Sequence, residues 1–169
     1  YYGDSITDEA MLTDTRSGDA FLVSQVLQDN VPRRVGVAGS FTSTYGRDNT
    51  INITGLNPQP TKVFIRYGTN DMNSGVNTTT FKNDYQTMLS NLLVGLPVST
   101  KIYAEGIFPR TGFTTVRDTY NSKIQDAVTG VANSRVQYVS TDGWFDPSTD
   151  TTDGLHPNAL GYGKIAVQE

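Results

Sequence analysis

Apolar residues follow two different periods along this chain. Short runs rich in β-branched residues are separated by longer segments in which apolar residues recur every three or four positions. The clearest strand candidates are Arg34 to Val37, Thr61 to Arg66, Thr100 to Glu105 and Arg135 to Val139. This alternation of strands and helices predicts βαβ units around a mostly parallel sheet.

Helical spacing of apolar residues predicts two long helices between these strands. The apolar positions of the first are Phe81, Tyr85, Met88, Leu89 and Leu92, and those of the second are Val116, Tyr120, Ile124, Ala127, Val128 and Val131. An earlier helix is predicted from about Ala20 to Gln28. A last helix is expected to begin near Pro157 and to turn Leu160, Ile165 and Val167 inward.

The length of the chain fits one domain, and we expect residues 1–169 to form a single one. Only Tyr1 and Tyr2 precede Gly3, which is too few residues for a full opening strand in the middle of a parallel sheet. We therefore expect a shortened first strand, in a domain taken from a longer polypeptide.

Charge and composition narrow the possible partners. The formal net charge is −4 and the basic residues are scattered, so we do not expect nucleic acid as a partner. No apolar run approaches the roughly 18 residues that a membrane span requires. We expect a soluble, secreted protein, and its oligomeric state stays open. The lack of cysteine excludes a thiolate nucleophile and sulfur-bound zinc.

The only histidine, His156, stands three residues after a carboxylate in Asp153-Gly154-Leu155-His156. A turn at Gly154 lets Asp153 reach Nδ1 of the imidazole and leaves Nε2 free for a serine hydroxyl. A lone histidine is more often a structural residue. Its place between a loop and a helix, where functional side chains are often held, favours a catalytic one.

A candidate nucleophile lies at the other end of the chain, in Gly3-Asp4-Ser5-Ile6. Ser5 follows the predicted first strand, so it is expected at the carboxyl edge of the sheet, where open α/β folds bind ligands. Asn70 follows the apolar run Val63-Phe64-Ile65 and is expected at the same edge, where its amide can donate to an oxyanion. The backbone N–H of Gly39 is a further candidate donor. Each motif taken alone is also typical of a turn. A turn would account for Gly68 and Asp71, on either side of Thr69 and Asn70.

Together these motifs resemble the SGNH (GDSL-like) hydrolase family. Gly3-Asp4-Ser5-Ile6 is similar to the first conserved block of that family, Gly39 to the second, Gly68-Thr69-Asn70-Asp71 to the third and Asp153-Gly154-Leu155-His156 to the fifth. The Gly-x-Ser-x-Gly elbow of α/β-hydrolases is absent.

The resemblance implies a flavodoxin-like, three-layer α/β/α sandwich with a mostly parallel five-stranded sheet. It implies Ser5 as nucleophile, His156 as base and Asp153 as the residue that orients the base. The N–H groups of Ser5 and Gly39 and the Asn70 amide would form the oxyanion hole. The implied reaction is ester hydrolysis through an acyl-enzyme, without a cofactor or metal.

The expected substrate is a short acyl ester, acetyl first, because little chain is left over for a lid or a long acyl pocket. The Asp-Gly-Leu-His ending and the following Gly161-Tyr162 are most similar to carbohydrate acetylesterases and acetylxylan esterases. Aromatic residues near the site are candidates for stacking on a sugar ring, although packing explains them equally well: Phe41, Tyr45, Phe108, Trp144 and Phe145. A lipase or thioesterase for longer acyl chains, or a non-catalytic carbohydrate-binding domain, is the alternative.

The acidic loop that precedes the histidine does not predict a metal site. Its aspartates, Asp142, Asp146, Asp150 and Asp153, do not have EF-hand spacing. A solvated polar loop is the expected structure.

Overall fold

A five-stranded parallel sheet organises the chain, whose computed structural model describes residues 1–8, 18, 22 and 33–169. The strands within these ranges are β1 Tyr2–Gly3, β2 Val35–Gly36, β3 Lys62–Arg66, β4 Lys101–Glu105 and β5 Val136–Val139. Their order in the sheet is β2-β1-β3-β4-β5. This is the flavodoxin-like order, so the predicted α/β class is confirmed.

Helices connect these strands and flank the sheet. They are α1 Ser5–Asp8, α2 Ile51–Thr54, α3 Thr69–Asn73, α4 Thr78–Gly95, α5 Thr114–Val131 and α6 Ala159–Gln168, with one π-helical turn at Thr42–Gly46. The two predicted long helices are α4 and α5. The helix predicted from Ala20 to Gln28 lies outside the described residues, apart from Leu22. None of the helices in the described ranges is both long and apolar enough to cross a membrane.

Alternation along the strands supplies both faces of the sheet with apolar side chains. Val63 and Ile65 of β3 enter the main core, which the inner faces of α4 and α5 complete. Phe64, between them, points to the other face and stacks between Tyr1 and Tyr103. Both faces of the sheet therefore carry apolar side chains, as a sheet between two layers of helices requires.

The short strand β1 lies inside the sheet, between β2 and β3. Tyr2 is matched to Val35 of β2 on one side and to Ile65 of β3 on the other. The strand order reverses between β1 and β3, and in open α/β sheets such a reversal leaves a crevice at the carboxyl ends of the strands. Ser5 begins the first helical turn directly after β1, at this crevice.

The last helix begins at Ala159, close to the predicted start near Pro157, but Pro157 is not its first residue. Asn158 caps α6, since its side chain accepts a hydrogen bond from the Gly161 N–H at 3.0 Å. Pro157 lies outside the helix and pairs with Thr151 in an isolated β-bridge.

The inward face of α6 is also different from the predicted one. Ile165 is buried as predicted, but Leu160 and Val167 are 59% and 82% exposed. Gly161 and Tyr162 take the inward positions, because α6 approaches the preceding loop so closely that a Cβ on Gly161 would lie 2.3 Å from the Asp150 carbonyl oxygen. A similar correction applies to α5, where Val116 is exposed and Arg117 is buried instead.

Candidate active site

Ser5 and His156, 151 residues apart in sequence, lie in contact at the carboxyl edge of the sheet. The Ser5 Oγ is 2.9 Å from the His156 Nε2. The His156 Nδ1 is 2.8 Å from the Asp153 Oδ2. Three predicted site residues thus form one chain of hydrogen bonds, in the arrangement that lets an imidazole take a proton from a hydroxyl.

The turn that carries His156 is built from local contacts. Gly154 has a φ of +81°, a conformation that glycine adopts without strain. The Thr152 N–H donates to the His156 carbonyl at 2.8 Å, which closes the turn. The Asp153 Oδ1 accepts from the Leu155 N–H at 3.0 Å and from the His156 N–H at 2.8 Å. The carboxylate therefore holds both the backbone and the imidazole of His156.

The same hydrogen bonds keep Asp153 ionised. Partial burial alone would raise its pKa. The hydrogen bonds from the His156 N–H, the imidazole and the Leu155 N–H outweigh that effect and lower the pKa to about 2. Asp153 is thus a carboxylate at any pH near neutrality, which suits a group that orients an imidazole and stabilises its protonated form.

A small apolar cluster joins the segment after Ser5 to the last helix. Its buried members are Ile6, Phe108, Phe145, Tyr162 and Ile165. Within the cluster, the Tyr162 hydroxyl donates to the Ile6 carbonyl at 2.7 Å. Since Ile6 follows Ser5 and Tyr162 is six residues after His156, this contact fixes the two ends of the chain close to the site.

Asn70 lies in the first turn of α3, after a glycine whose geometry the site requires. Gly68 has a φ of +122°, and a Cβ there would lie 3.0 Å from both Ile107 and Phe81. The Asn70 Nδ2 donates to the Ser40 carbonyl at 2.9 Å.

Gly39 lies in the exposed turn that follows β2, with a φ of +73°. Ser40, the residue after Gly39, accepts the hydrogen bond from the Asn70 amide. This contact uses one of the two amide hydrogens of Asn70.

Two buried carboxyl groups, Asp4 and Asp71, stand next to Ser5 and Asn70 in the sequence. Burial raises the pKa of Asp4 to about 7, although the Ile6 N–H, 3.1 Å from its Oδ1, acts in the opposite direction. Burial also raises the pKa of Asp71, which lies close enough to Asp4 to repel its charge. The pKa values of these two carboxyl groups are thus raised, whereas the pKa of Asp153 is lowered.

The predicted sugar-stacking residues occupy three different environments. Phe108 and Phe145 are 2% and 5% exposed in the cluster around Ile6, so the stacking role is wrong for both, and packing against α6 accounts for them. Tyr45 is half-buried against the main core. Trp144 packs on Phe108 and lines a groove along α6 that contains none of the predicted catalytic residues. Phe41, half-buried beside Ser40, remains a candidate.

The acidic loop before His156 places each aspartate against a different partner. Asp142 pairs with Arg117, Asp146 accepts from the Ser148 N–H, Asp150 pairs with Lys164 and Asp153 pairs with His156. The Lys164 Nζ is 2.6 Å from the Asp150 Oδ2, which also accepts from the Asp146 N–H at 2.8 Å. The loop is thus tied to α6 by a buried carboxylate, which the interpretation as a solvated loop missed.

The comparisons with known proteins agree with this architecture. The family model described as GDSL-like Lipase/Acylhydrolase matches residues 1–164. Among curated proteins, none matches the chain.

Solved structures with the same fold include several esterases. A carbohydrate esterase family 3 protein from Talaromyces cellulolyticus has 24% identity and a TM-score of 0.74, over 99% of this chain and 91% of that one. An acetyl esterase mutant with an acetate ion has 23% identity and a TM-score of 0.75, over 99% and 91%. A Clostridium thermocellum family 3 carbohydrate esterase has 22% identity and a TM-score of 0.72, over 98% and 89%.

The fold and the family model define a hydrolase of carboxylic esters. The chain belongs to the GDSL-like lipase/acylhydrolase family, also called SGNH hydrolases, as its sequence motifs predict.

Proposed function

We propose that this chain is a serine esterase that removes short acyl groups, acetyl first, from carbohydrate, with Ser5 as nucleophile. The observation that carries the proposal is the pair of hydrogen bonds, 2.9 Å and 2.8 Å long, that joins Ser5 to His156 and His156 to Asp153. A serine hydroxyl is a weak nucleophile unless a base takes its proton. This pair of contacts supplies the base and the group that orients it.

In the proposed reaction, the Ser5 Oγ attacks the ester carbonyl carbon while the His156 Nε2 accepts the hydroxyl proton. The carbonyl π electrons move onto oxygen, and the resulting oxyanion accepts hydrogen bonds from the Ser5 N–H, the Gly39 N–H and the Asn70 Nδ2. The carbon–oxygen bond to the alcohol then breaks, and the alcohol leaves with the proton from His156. Water attacks the acyl-enzyme, again with His156 as base, which releases the acid and restores Ser5.

Acetyl and carbohydrate specificity rest on two kinds of support. Two of the similar structures are carbohydrate esterases by description, and a third is an acetyl esterase with an acetate ion. In this chain, Phe108 and Phe145 are withdrawn into the core and do not line a long acyl pocket beside Ser5. A polysaccharide substrate fits a secreted enzyme, and we propose that residues 1–169 act as one domain of it.

A series of p-nitrophenyl esters, together with acetylated xylan, tests this proposal. We expect kcat/KM to be highest for the acetate ester and to fall through butyrate to octanoate, and we expect acetate release from the polysaccharide. Faster hydrolysis of the octanoate would favour a lipase or thioesterase function instead. Ser5→Ala is the control, and equal hydrolysis by this variant would show that the site is wrong.

A further inference from the structure

A buried hydrogen-bonded pair, Thr42 and Asp71, connects the two segments that carry the proposed oxyanion-hole donors. The Asp71 Oδ2 accepts from both the backbone N–H and the hydroxyl of Thr42, each at 3.0 Å. Thr42 is 0% exposed and Asp71 is 1% exposed. Thr42 stands three residues after Gly39, and Asp71 directly follows Asn70.

A second contact crosses the same gap. The Asn70 Nδ2 donates to the Ser40 carbonyl at 2.9 Å. This bond orients the Asn70 amide, and the Thr42–Asp71 pair holds the backbone on which that amide stands. The spacing between Gly39 and Asn70 is therefore set by three hydrogen bonds between residues about 30 positions apart in sequence.

Apolar packing would join these two segments without the desolvation penalty of a buried carboxylate. Burial raises the pKa of Asp71, and the two bonds from Thr42 only partly offset that effect. What a carboxylate with two donors adds is a fixed distance and direction between two backbones. Oxyanion-hole donors need this kind of fixed geometry, because they act only when they are placed where negative charge develops.

We propose that Thr42 and Asp71 are positioning residues that hold the Gly39 N–H and the Asn70 amide at the spacing that a tetrahedral oxyanion requires. This inference rests on the proposed esterase function. Neither residue touches the reacting atoms. Loss of the pair should therefore weaken transition-state binding and leave binding of the ground-state ester nearly unchanged.

The decisive variant is Thr42→Val, which keeps the β-branched shape and the backbone N–H and removes the hydroxyl. We expect kcat for p-nitrophenyl acetate to fall about tenfold with little change in KM, and affinity for a boronic acid transition-state analogue to fall by a similar factor. Thr42→Ser keeps the hydroxyl and should restore both values. If Thr42→Val does not fold, Asp71→Leu, which keeps a similar side-chain shape and removes both acceptor oxygens, is expected to show the same split between kcat and KM.

The matched control is Thr100→Val. Thr100 is also buried, and its hydroxyl donates to the Pro60 carbonyl at 2.7 Å, at the opposite end of the strands. An effect of Thr42→Val on kcat and analogue affinity no larger than that of Thr100→Val would overturn the inference. So would a full effect of Thr42→Val in an Asn70→Ala background, because the positioned amide is missing there.

Failure of this inference is distinguishable from failure of the proposed function. A wild-type protein that hydrolyses esters through Ser5, with Thr42→Val indistinguishable from Thr100→Val, removes only the positioning role. A wild-type protein without Ser5-dependent hydrolysis removes both.

Discussion

The two sides of the site each use an aspartate to hold a functional group, and they do so in opposite ways. Asp153, whose side chain is 41% exposed, binds residues within three positions of itself in the described part of the chain. Asp71 is almost fully buried and binds a residue 29 positions away. The pKa of Asp153 is lowered to about 2, whereas the pKa of Asp71 is raised.

This difference separates two kinds of preorganisation. The Asp153 turn is a local structure whose charge persists because backbone N–H groups surround it. The Asp71 side is a long-range structure that exists only once β1, β2 and β3 are assembled. The hydrogen bonds of the Asp153 turn should therefore persist when its surroundings change. Those of Asp71 should depend on the packing around them.

The largest effect is expected on the base side, from Asp153→Asn. The amide removes the negative charge and disturbs the choice of imidazole tautomer, so kcat should fall on the order of 10³- to 10⁴-fold. Steady-state kinetics with p-nitrophenyl acetate measure it. A loss below tenfold would mean that the backbone of the turn, rather than its charge, orients His156.

The next largest effect is expected on the oxyanion side, from Asn70→Ala. Loss of one donor should lower kcat about 100- to 1000-fold with little change in KM. A matching fall in affinity for a boronic acid analogue would show that the loss lies in the transition state. An increase in KM alone, with kcat preserved, would instead make Asn70 a substrate-binding residue.

The smallest effect concerns stability rather than turnover. Asp4 has a pKa of about 7 when folded and an ordinary carboxyl pKa when unfolded, so its contribution to stability is fully present below about pH 4 and is lost as the pH rises through about 7. Asp4→Asn removes this dependence. The Tm of the variant relative to the wild type should therefore increase between pH 5 and pH 8. Parallel Tm curves would show that Asp4 is not desolvated as the structure indicates.

The same comparison explains what the sequence could predict. The Asp153-Gly154-Leu155-His156 turn was predictable because all its contacts lie within a few residues. The strands and the helices α4 and α5 were predictable because their apolar periods match their burial, apart from Val116 of α5.

The Thr42–Asp71 pair and the Tyr162–Ile6 hydrogen bond join residues 29 and 156 positions apart. No local sequence pattern predicts either of them. The inward face of α6 was mispredicted for a related reason. Its close approach at Gly161 decides which side is buried, and that approach depends on the preceding loop. Hydrogen bonds and a close approach between separate segments, rather than side-chain hydrophobicity, decided these cases.

The central claim is that folding activates the Ser5 hydroxyl by placing it against His156. Labelling with a fluorophosphonate, followed by peptide mapping, tests this claim most directly, with the wild type compared with His156→Ala. We predict that the wild type is modified at Ser5 alone and that the His156→Ala protein reacts far more slowly. Modification of another serine, or an equal labelling rate in both proteins, would contradict the claim.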